Sequence, residues 1–409
     1  MMKRYGLLGK TLSHSLSPQI HAFFGDYAYE LLEKSEDELT AFFADPPVAA
    51  MNVTIPYKKA VIPFCTELDD VAKRIGSVNT VRFDGDAVRG YNTDYDGFLY
   101  LLRRAGISVA GKKVLVLGSG GASATVCCVL KDQGAKQVVV ISRSGADNYG
   151  NLEQHRDAQV IINTTPVGMY PDTAAAPLSL EQFPNCEAVA DIVYNPLRTR
   201  LLQDAEKRGM KTANGLSMLV AQAHRAAEIF LDRSLDRGLI DSGLRQLEQQ
   251  FRNIVLVGMP GCGKSTLARL LAKALGKEAV DTDAFVEKKA GKTIPELFAE
   301  QGEAAFRRLE MQAVQELGKS GGQVIATGGG AILIEENRDA LRQNAVVVFL
   351  ERELQMLATN GRPLSKSREA IEELYKQRLP LYREVADVTA RVEGTPEDTL
   401  RRIREAIGQ

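Results

Sequence analysis

Tryptophan is absent from this 409-residue chain, and cysteine occurs only five times. The missing tryptophan decides nothing about function, but the cysteines exclude something. Cys65, Cys127, Cys128, Cys186 and Cys262 form no Cys-x-x-Cys pair and no metal-ligand spacing, which sets aside a disulfide scaffold or a zinc site and predicts reduced thiols in a cytoplasmic protein. No apolar run approaches the roughly 20 residues that span a bilayer. The stretch from Met1 to Ser15 starts basic but has neither a long apolar core nor a small-residue cleavage site, so no signal peptide is expected. The formal net charge is -1 with no run of Lys or Arg, so the cationic footprint of a nucleic-acid binder is missing. The expected partners are small molecules, with neither nucleic acid nor membrane, and oligomeric state is not legible. No internal repeat or low-complexity tract occurs. A composition 44% hydrophobic and 25% charged is that of ordinary globular protein, and the length predicts two or three domains.

What is present starts in the middle of the chain. Gly258 to Ser265 reads G-M-P-G-C-G-K-S, a complete P-loop, preceded by the strand-like Asn253 to Val257. A P-loop joins the first strand of its domain to the first helix, so a new domain begins near Phe251 and the residues before it form something separate. Strand-like runs ("KKVLVL", "QVVVISR", "AQVIINTT", "EAVADIVY", "GQVIATGGG", "NAVVVFLE") alternate with helical ones on both sides of this point. That alternation predicts an α/β protein with parallel sheets covered by helices. The join itself, "DSGLRQLEQQFRN", is helix-like, with Leu244 and Leu247 three apart and Phe251 four further on, and no Gly/Ser- or Pro-rich linker. A short, stiff connection is expected.

In the first half, Gly118-Ser119-Gly120-Gly121-Ala122-Ser123 follows the strand "KVLVL". Glycines there permit a tight turn and a close approach of backbone N–H groups to a pyrophosphate at a helix N-terminus. The next strand ends in Ser142-Arg143-Ser144, with no acidic residue for a ribose 2′-hydroxyl. A guanidinium flanked by hydroxyls suits a 2′-phosphate, which favours NADP over NAD. Ahead of this unit lies a polar constellation: Ser15 and Ser17, then Asn52, Thr54 and Lys58, then Asn79, then Asn92, Thr93 and Asp94. Hydroxyls and amides orient a polyhydroxylated substrate, and a Lys beside an Asp can deliver a proton to a carbonyl oxygen as hydride arrives. By residue type alone each member also has a structural reading as a turn, cap or surface residue.

In the second half, the P-loop glycines Gly258, Gly261 and Gly263 present backbone amides to phosphates. Lys264 reaches the terminal phosphates, and Ser265, with Thr266 beside it, is placed for Mg²⁺. Asp281 and Asp283 stand two apart at the end of an apparent strand, on one side of it, so one can serve the metal shell while the other meets an acceptor hydroxyl. Phe298 and Phe306 lie on a helical tract on which Arg307 and Glu310 are spaced i,i+3, a spacing that can orient the guanidinium or be one surface pair among many. Gly328 to Gly330 follow another strand as a tight turn with free N–H groups.

Taken together, the first-half segments resemble shikimate dehydrogenase from "YGLLGKTLSHSLSP" to "GLSMLVAQAHRA", on the motifs "HSLSP", "NVTIPYK", "VNT", "NTD", "GSGGA", "INTTPVGM" and "NGLSMLVAQA". The resemblance implies an acid/base pair at Lys58 and Asp94, and substrate contacts from Ser15, Ser17, Thr54, Asn79, Tyr194 and Gln222. It also implies a dinucleotide turn at Gly118 to Ser123, and reduction of 3-dehydroshikimate with NADPH. The chain departs from the family in short segments before "NVTIPYK" and after Arg143, where a second basic residue is often found; some members oxidise quinate. The second half resembles shikimate kinase on "GMPGCGKST", "DTD", "GEAAFRRLE", "TGGGA", "GRPL" and "QRLPLYRE". That resemblance implies ATP and Mg²⁺ as cofactors and Ser265 with Asp281 in the metal shell. It puts Asp283 on the acceptor hydroxyl, Arg307, Arg378, Gly329 and Gly330 on shikimate, and Lys264 with Arg362 of a lid on the phosphates. The lid departs in "LATN", which lacks a common arginine. The implied architecture is a substrate domain of residues 1–96 and 216–250, a Rossmann NADP domain of 97–215, and a P-loop kinase domain of 251–409.

Overall fold

Three sheets organise the described residues of this computed structural model, which are 3–13, 15–357 and 368–409. They are divided between two units, Met1–Gln246 with two sheets and Leu247–Gln409 with one.

The first sheet holds β1 (Arg4–Gly9), β2 (Ala28–Glu33), β3 (Ala50–Val53), β4 (Glu67–Leu68), β5 (Thr80–Asp84) and β6 (Ala87–Tyr91), in the order β2-β1-β3-β5-β6-β4. Strand β1 is parallel to β2 and β3, but β5 is antiparallel to both β3 and β6. The strand runs from which parallel sheets were expected all lie outside this sheet, which is mixed. The local cause is the pair Gly85-Asp86, a two-residue hairpin loop with Gly85 at φ +61°, the backbone such a turn demands.

The second sheet holds β7 (Lys113–Leu117), β8 (Gln137–Ile141), β9 (Val160–Asn163), β10 (Ala188–Asp191) and β11 (Lys211–Ala213), all parallel, in the order β11-β10-β9-β7-β8. Strands β9 and β10 are buried along their whole length. One apolar cluster, around Phe98, Leu101 and Val126, and another, around Leu152, Phe183 and Leu201, account for this. Continuous apolar runs are what a strand covered on both faces requires. The helices Asp94–Arg104 and Leu216–Leu231 pack against each other and carry the chain between the first two sheets.

The second unit holds β12 (Asn253–Val257), β13 (Glu278–Asp281), β14 (Gln323–Ala326), β15 (Ala345–Glu351) and β16 (Val388–Arg391), again all parallel, in the order β13-β14-β12-β15-β16. Its core is built on Leu256, Leu271, Val314, Val347 and Tyr382. The helix expected across the join is present as Gly238–Phe251, with Leu244 and Leu247 buried, and the division between the units falls within it.

One buried carboxylate ties the second sheet to the loop after it. Asp191, at the end of β10, is fully buried and accepts hydrogen bonds from Asn163 Nδ2 (3.0 Å), the Val193 amide (3.0 Å) and Thr199 Oγ1 (2.7 Å). Burial pushes its carboxyl up from 3.8 to about 6 in spite of these donors. A carboxyl raised in the folded state holds its proton longer than in the unfolded chain. Its contribution to stability is therefore greatest below about pH 4 and is lost as pH rises through about 6. The non-titrating variant Asp191→Asn tests this by denaturant unfolding. Between pH 4 and pH 7 the stability of wild type should fall relative to the variant by up to about 3 kcal/mol, since each tenfold difference in proton affinity between the two states is worth about 1.4 kcal/mol. A difference that is flat with pH would sink the assignment.

Candidate active sites

A cleft of about 450 Å³ in the first unit is lined by Ser15, Ser17, Thr54, Lys58, Asn79, Asp94, Tyr194 and Gln222. The structure thus brings together residues spread over some 200 positions of sequence. Ser15 and Ser17 follow β1, Thr54 and Lys58 follow β3, Asn79 precedes β5 and Tyr194 follows β10; Asp94 opens one linking helix, and Gln222 lies on the other. Lys58 Nζ donates to Asp94 Oδ2 at 2.6 Å, with the two side chains 28% and 14% exposed. The second Asp94 oxygen accepts from Asn79 Nδ2 at 2.9 Å. Asp94 occupies the first turn of its helix, where the N-terminal dipole favours a negative charge. Ala122 of the glycine turn lines the same cleft. The Lys58–Asp94 pair and the glycine turn therefore face one cavity.

The turn Gly118-Ser119-Gly120-Gly121-Ala122 joins β7 to the helix Gly121–Asp132. Gly118 has φ +101°, and a Cβ there would meet Thr165 Cγ2 at 2.9 Å and Thr164 Oγ1 at 3.0 Å. A Cβ on Gly120 or Gly121 would meet nothing within 4 Å. The turn's backbone thus opens onto free space at a helix N-terminus, which fits a pyrophosphate. Ser142, Arg143 and Ser144 follow β8, and no hydrogen bond or ion pair engages the exposed Arg143 guanidinium among the described residues. Sequence reasoning missed the bracing of this loop. Asn148 Nδ2 donates to the Gly145 carbonyl (3.1 Å), Asn151 Nδ2 to the Ala146 carbonyl (2.9 Å), and His155 Nε2 bonds Asp147 Oδ1 (2.9 Å). Two asparagines three apart in a short loop were the available signal.

The second unit holds a cleft of about 500 Å³. Gly258, Gly261 and Gly263 have φ +150°, +85° and +102°, which turns the P-loop into a concave run of backbone amides before the helix Lys264–Leu275. Lys264 is buried, and its ammonium donates to the carbonyls of Gly258 (2.8 Å) and Met259 (3.0 Å). Ser265 Oγ donates to Asp281 Oδ2 at 2.6 Å, and Thr266 lines the cleft beside it.

Two expectations need correction here. Asp281 and Asp283 do not share one side of a strand. Asp281 ends β13 and caps the helix Thr282–Ala290, accepting from the Asp283 amide at 3.0 Å, whereas Asp283 lies in that helix's first turn. The carboxyls still face one cleft, and burial, with Asp281 and Glu310 adding like charge, raises Asp283 to about 6. Nor are all the N–H groups of Gly328 to Gly330 free: the Gly328 amide donates to Thr282 Oγ1 at 2.9 Å. Close approach excludes side chains: a Cβ on Gly328 would meet Asp283 Oδ1 at 2.5 Å, one on Gly329 the Pro260 ring at 2.7 Å, and one on Gly330 Arg307 Nη1 at 2.5 Å.

Arg307 donates to the fully buried Glu310 at 2.7 Å and to Glu303 at 3.1 Å. Phe298 and Phe306 stand on either side of a break at Gly302 with ring centroids 5.0 Å apart, and both line the cleft. Arg378 Nη1 donates to the Gly329 carbonyl at 3.0 Å, and so does the buried Tyr382 hydroxyl at 2.6 Å. Tyr382 was not singled out from sequence, where a tyrosine four residues after Arg378 on a helix was the only hint. Arg362 lies outside the described residues.

Fold and sites together define two enzymes in one chain, a two-lobed dinucleotide-dependent dehydrogenase and a P-loop kinase. Comparison with known proteins specifies both. The family model described as shikimate dehydrogenase substrate binding domain matches residues 7–81, and that described as shikimate kinase matches residues 260–408. The shikimate dehydrogenase (NADP(+)) of Clostridium beijerinckii is 35% identical over 270 residues, covering 61% of this chain and all of that protein. That of Methanopyrus kandleri is 37% identical over 257 residues, covering 55% and 89%. Among solved structures, a chorismate mutase/shikimate 5-dehydrogenase fusion protein from Clostridium acetobutylicum aligns with TM-score 0.58 at 34% identity, covering 61% of this chain and 98% of its own. Shikimate 5-dehydrogenase from Thermus thermophilus, in complex with NADP(H) and shikimate, aligns with TM-score 0.54 at 33% identity over 60% of this chain and 99% of its own. The chain belongs to the shikimate dehydrogenase family and carries a shikimate kinase domain after it, which makes it a bifunctional shikimate-pathway enzyme.

The Arg307–Glu310 pair separates folding from binding. Burial raises the Glu310 carboxyl against the pull of Arg307. Arg307→Met strands that carboxylate and should destabilise the kinase unit by about 3 kcal/mol in urea. The double variant Arg307→Met/Glu310→Gln should recover most of the loss, and a double variant no more stable than the single one would refute the assignment.

Proposed function

We propose that the chain reduces 3-dehydroshikimate to shikimate with NADPH and then phosphorylates shikimate with ATP to shikimate 3-phosphate. The observation that carries this reading is the Lys58–Asp94 pair at 2.6 Å in a cleft shared with Ala122 of the dinucleotide turn. It is supported by the pairing of activities, because the alcohol oxygen made by the first reaction is the phosphoryl acceptor of the second. Residues 1–96 and 216–250 form the substrate domain, 97–215 the NADP domain and 251–409 the kinase domain.

Bound NADPH supplies hydride, and ATP with Mg²⁺ supplies the phosphoryl group and its charge neutralisation. Lys58 delivers its proton to the carbonyl oxygen at C3 as negative charge develops there, and Asp94 holds the ammonium in place. Thr54, Asn79, Tyr194 and Gln222 orient the substrate's hydroxyls, and Ser15 with Ser17 binds its carboxylate. The amides of Gly118 to Ala122 meet the pyrophosphate, while Ser142, Arg143 and Ser144 take the 2′-phosphate. In the kinase, Arg307, Arg378, Gly329 and Gly330 seat shikimate and Asp283 receives its hydroxyl. Lys264, Arg362 and the P-loop amides hold the phosphates. Ser265 and Asp281, already joined by a hydrogen bond, would hold Mg²⁺.

Incubation with 3-dehydroshikimate, NADPH, ATP and Mg²⁺, following NADPH oxidation and phosphorylated product together, tests the whole reading. Shikimate 3-phosphate should form only with both cofactors; accumulation of shikimate alone would remove the kinase assignment. Lys58→Ala should lower NADPH oxidation by at least about 10²-fold and leave phosphorylation of added shikimate unchanged. Arg143→Ala should raise KM for NADPH about tenfold and leave KM for NADH alone, since a lost charge-assisted contact of this kind is worth about 1.5 kcal/mol. Equal effects on the two dinucleotides would show that Arg143 does not select the phosphate.

A further inference from the structure

Behind the Lys58–Asp94 pair lies a polar core that the proposed mechanism does not use. His21, on the short helix Ser17–His21, is 1% exposed. Its ring is stacked between Tyr29 (centroids 4.1 Å, 17°) and Phe230 (5.4 Å, 14°). Burial lowers its pKa to about 3, so the ring is neutral and carries one N–H. Nε2 lies 2.9 Å from Asn52 Oδ1, and Nδ1 lies 2.8 Å from the Tyr27 hydroxyl.

The position of that proton follows from main-chain groups further along. Asn52 Nδ2 faces the Asn79 carbonyl (3.5 Å), which only accepts, and Thr80 Oγ1 (3.1 Å). The Asn52 oxygen is therefore the atom that faces His21, and it also accepts from the Tyr29 hydroxyl at 2.8 Å. An acceptor opposite Nε2 puts the hydrogen on Nε2 and leaves Nδ1 to accept from Tyr27. At the far end, the Thr93 amide, which only donates, points at Asn79 Oδ1 (2.7 Å) and fixes that carboxamide as well. Thr80 Oγ1, which accepts from Asn52, donates to Asn79 Oδ1 (3.1 Å), and Asn79 Nδ2 donates to Asp94 Oδ1 (2.9 Å). Every link runs the same way: Tyr27 to His21, His21 to Asn52, Asn52 to Thr80, Thr80 to Asn79, and Asn79 to the carboxylate that holds Lys58.

We propose that His21 is a positioning residue of the dehydrogenase site: as the Nε2–H tautomer, it donates the hydrogen bond that anchors one end of a chain through Asn52, Thr80 and Asn79, whose other end holds Asp94 against Lys58. The inference rests on the reading of Lys58 and Asp94 as the acid/base pair. A group two hydrogen bonds or more from the substrate matters here because the reacting groups must be held within a fraction of an ångström, and without the Nε2–H donor the Asn52 oxygen keeps only the Tyr29 hydroxyl of its two partners.

The test uses the full chain with His21→Phe, which keeps the stacked ring but removes both nitrogens, and His21→Gln, which restores a donor near the Nε2 position. Assayed at a temperature where both proteins are fully folded, His21→Phe should lower dehydrogenase kcat by about tenfold or more while NADP binding and kinase turnover stay at wild-type levels, and His21→Gln should recover most of the kcat. In ¹⁵N-histidine-labelled protein, the signal lost in both variants should carry the Nε2–H pattern. Wild-type kcat in His21→Phe would overturn the inference. So would failure of His21→Gln to recover kcat at wild-type stability, or an Nδ1–H pattern for that signal. Lys58→Ala assayed in parallel separates the two levels. If it turns over normally, the acid/base reading falls and this inference with it; if it is inactive while His21→Phe is unimpaired, only the inference falls.

Discussion

A strand in a parallel sheet hands the chain on from the same edge as its neighbours, because each connection must cross over before the next strand can start. Both units depend on that constraint. In the second unit it brings the P-loop after β12, Asp281 and Asp283 after β13, and Gly328 to Gly330 after β14 to one rim, although they span some seventy residues. In the second sheet it places the glycine turn after β7 beside Thr164 and Thr165 after β9, at the point where the strand order reverses between them. The mixed first sheet retains the rule in its parallel part, where Ser15 after β1 and Thr54 after β3 reach the same cleft.

Within that frame, the sites are held by polar groups whose partners are other protein atoms. Asp191, Asn52, Asn79, Glu310 and Lys264 are all buried, and each is satisfied by named partners. Leaving such a group unpaired costs about 1–3 kcal/mol, more if it is charged. The networks therefore admit one arrangement rather than several, and this is what lets a lysine and a carboxylate from different elements meet at 2.6 Å. The glycines of the kinase cleft serve the same end by removal: at Gly328 and Gly330 the space a Cβ would take is filled by Asp283, Glu310 and Arg307.

The two units have different relations to charge. The dehydrogenase cleft carries one close ion pair and a set of neutral donors, which suits a reaction that moves a hydride and a single proton. The kinase cleft gathers Lys264, Arg307 and Arg378 against four carboxyls, those of Asp281, Asp283, Glu287 and Glu310, an arrangement suited to polyanionic phosphates and a divalent cation. One chain thus joins a site built for directional hydrogen bonding to one built for charge neutralisation.

Much of this was legible in the chain itself. The strand–glycine–helix units, the central P-loop and the helical join follow from local patterns, because a phosphate-binding turn needs its glycines adjacent in sequence and a buried parallel strand needs an unbroken apolar run; Tyr194, Gln222 and Arg378 of the clefts came only from the resemblance to the two families. The sequence alone thus determined the α/β class and the two-enzyme organisation. It did not determine the antiparallel β5–β6 hairpin within the first sheet, the place of Asp283 on a helix, the crowding that makes Gly328 to Gly330 glycines, or the partnership of Tyr382 with Arg378 at one carbonyl. Least of all did it determine that His21, thirty-one residues from Asn52, would point its ring nitrogen into the network behind Lys58. Those outcomes depend on which buried polar group faces which across the core, and only the packed tertiary structure sets that, since the pairing lies between elements whose separation along the chain carries no information about their distance in space.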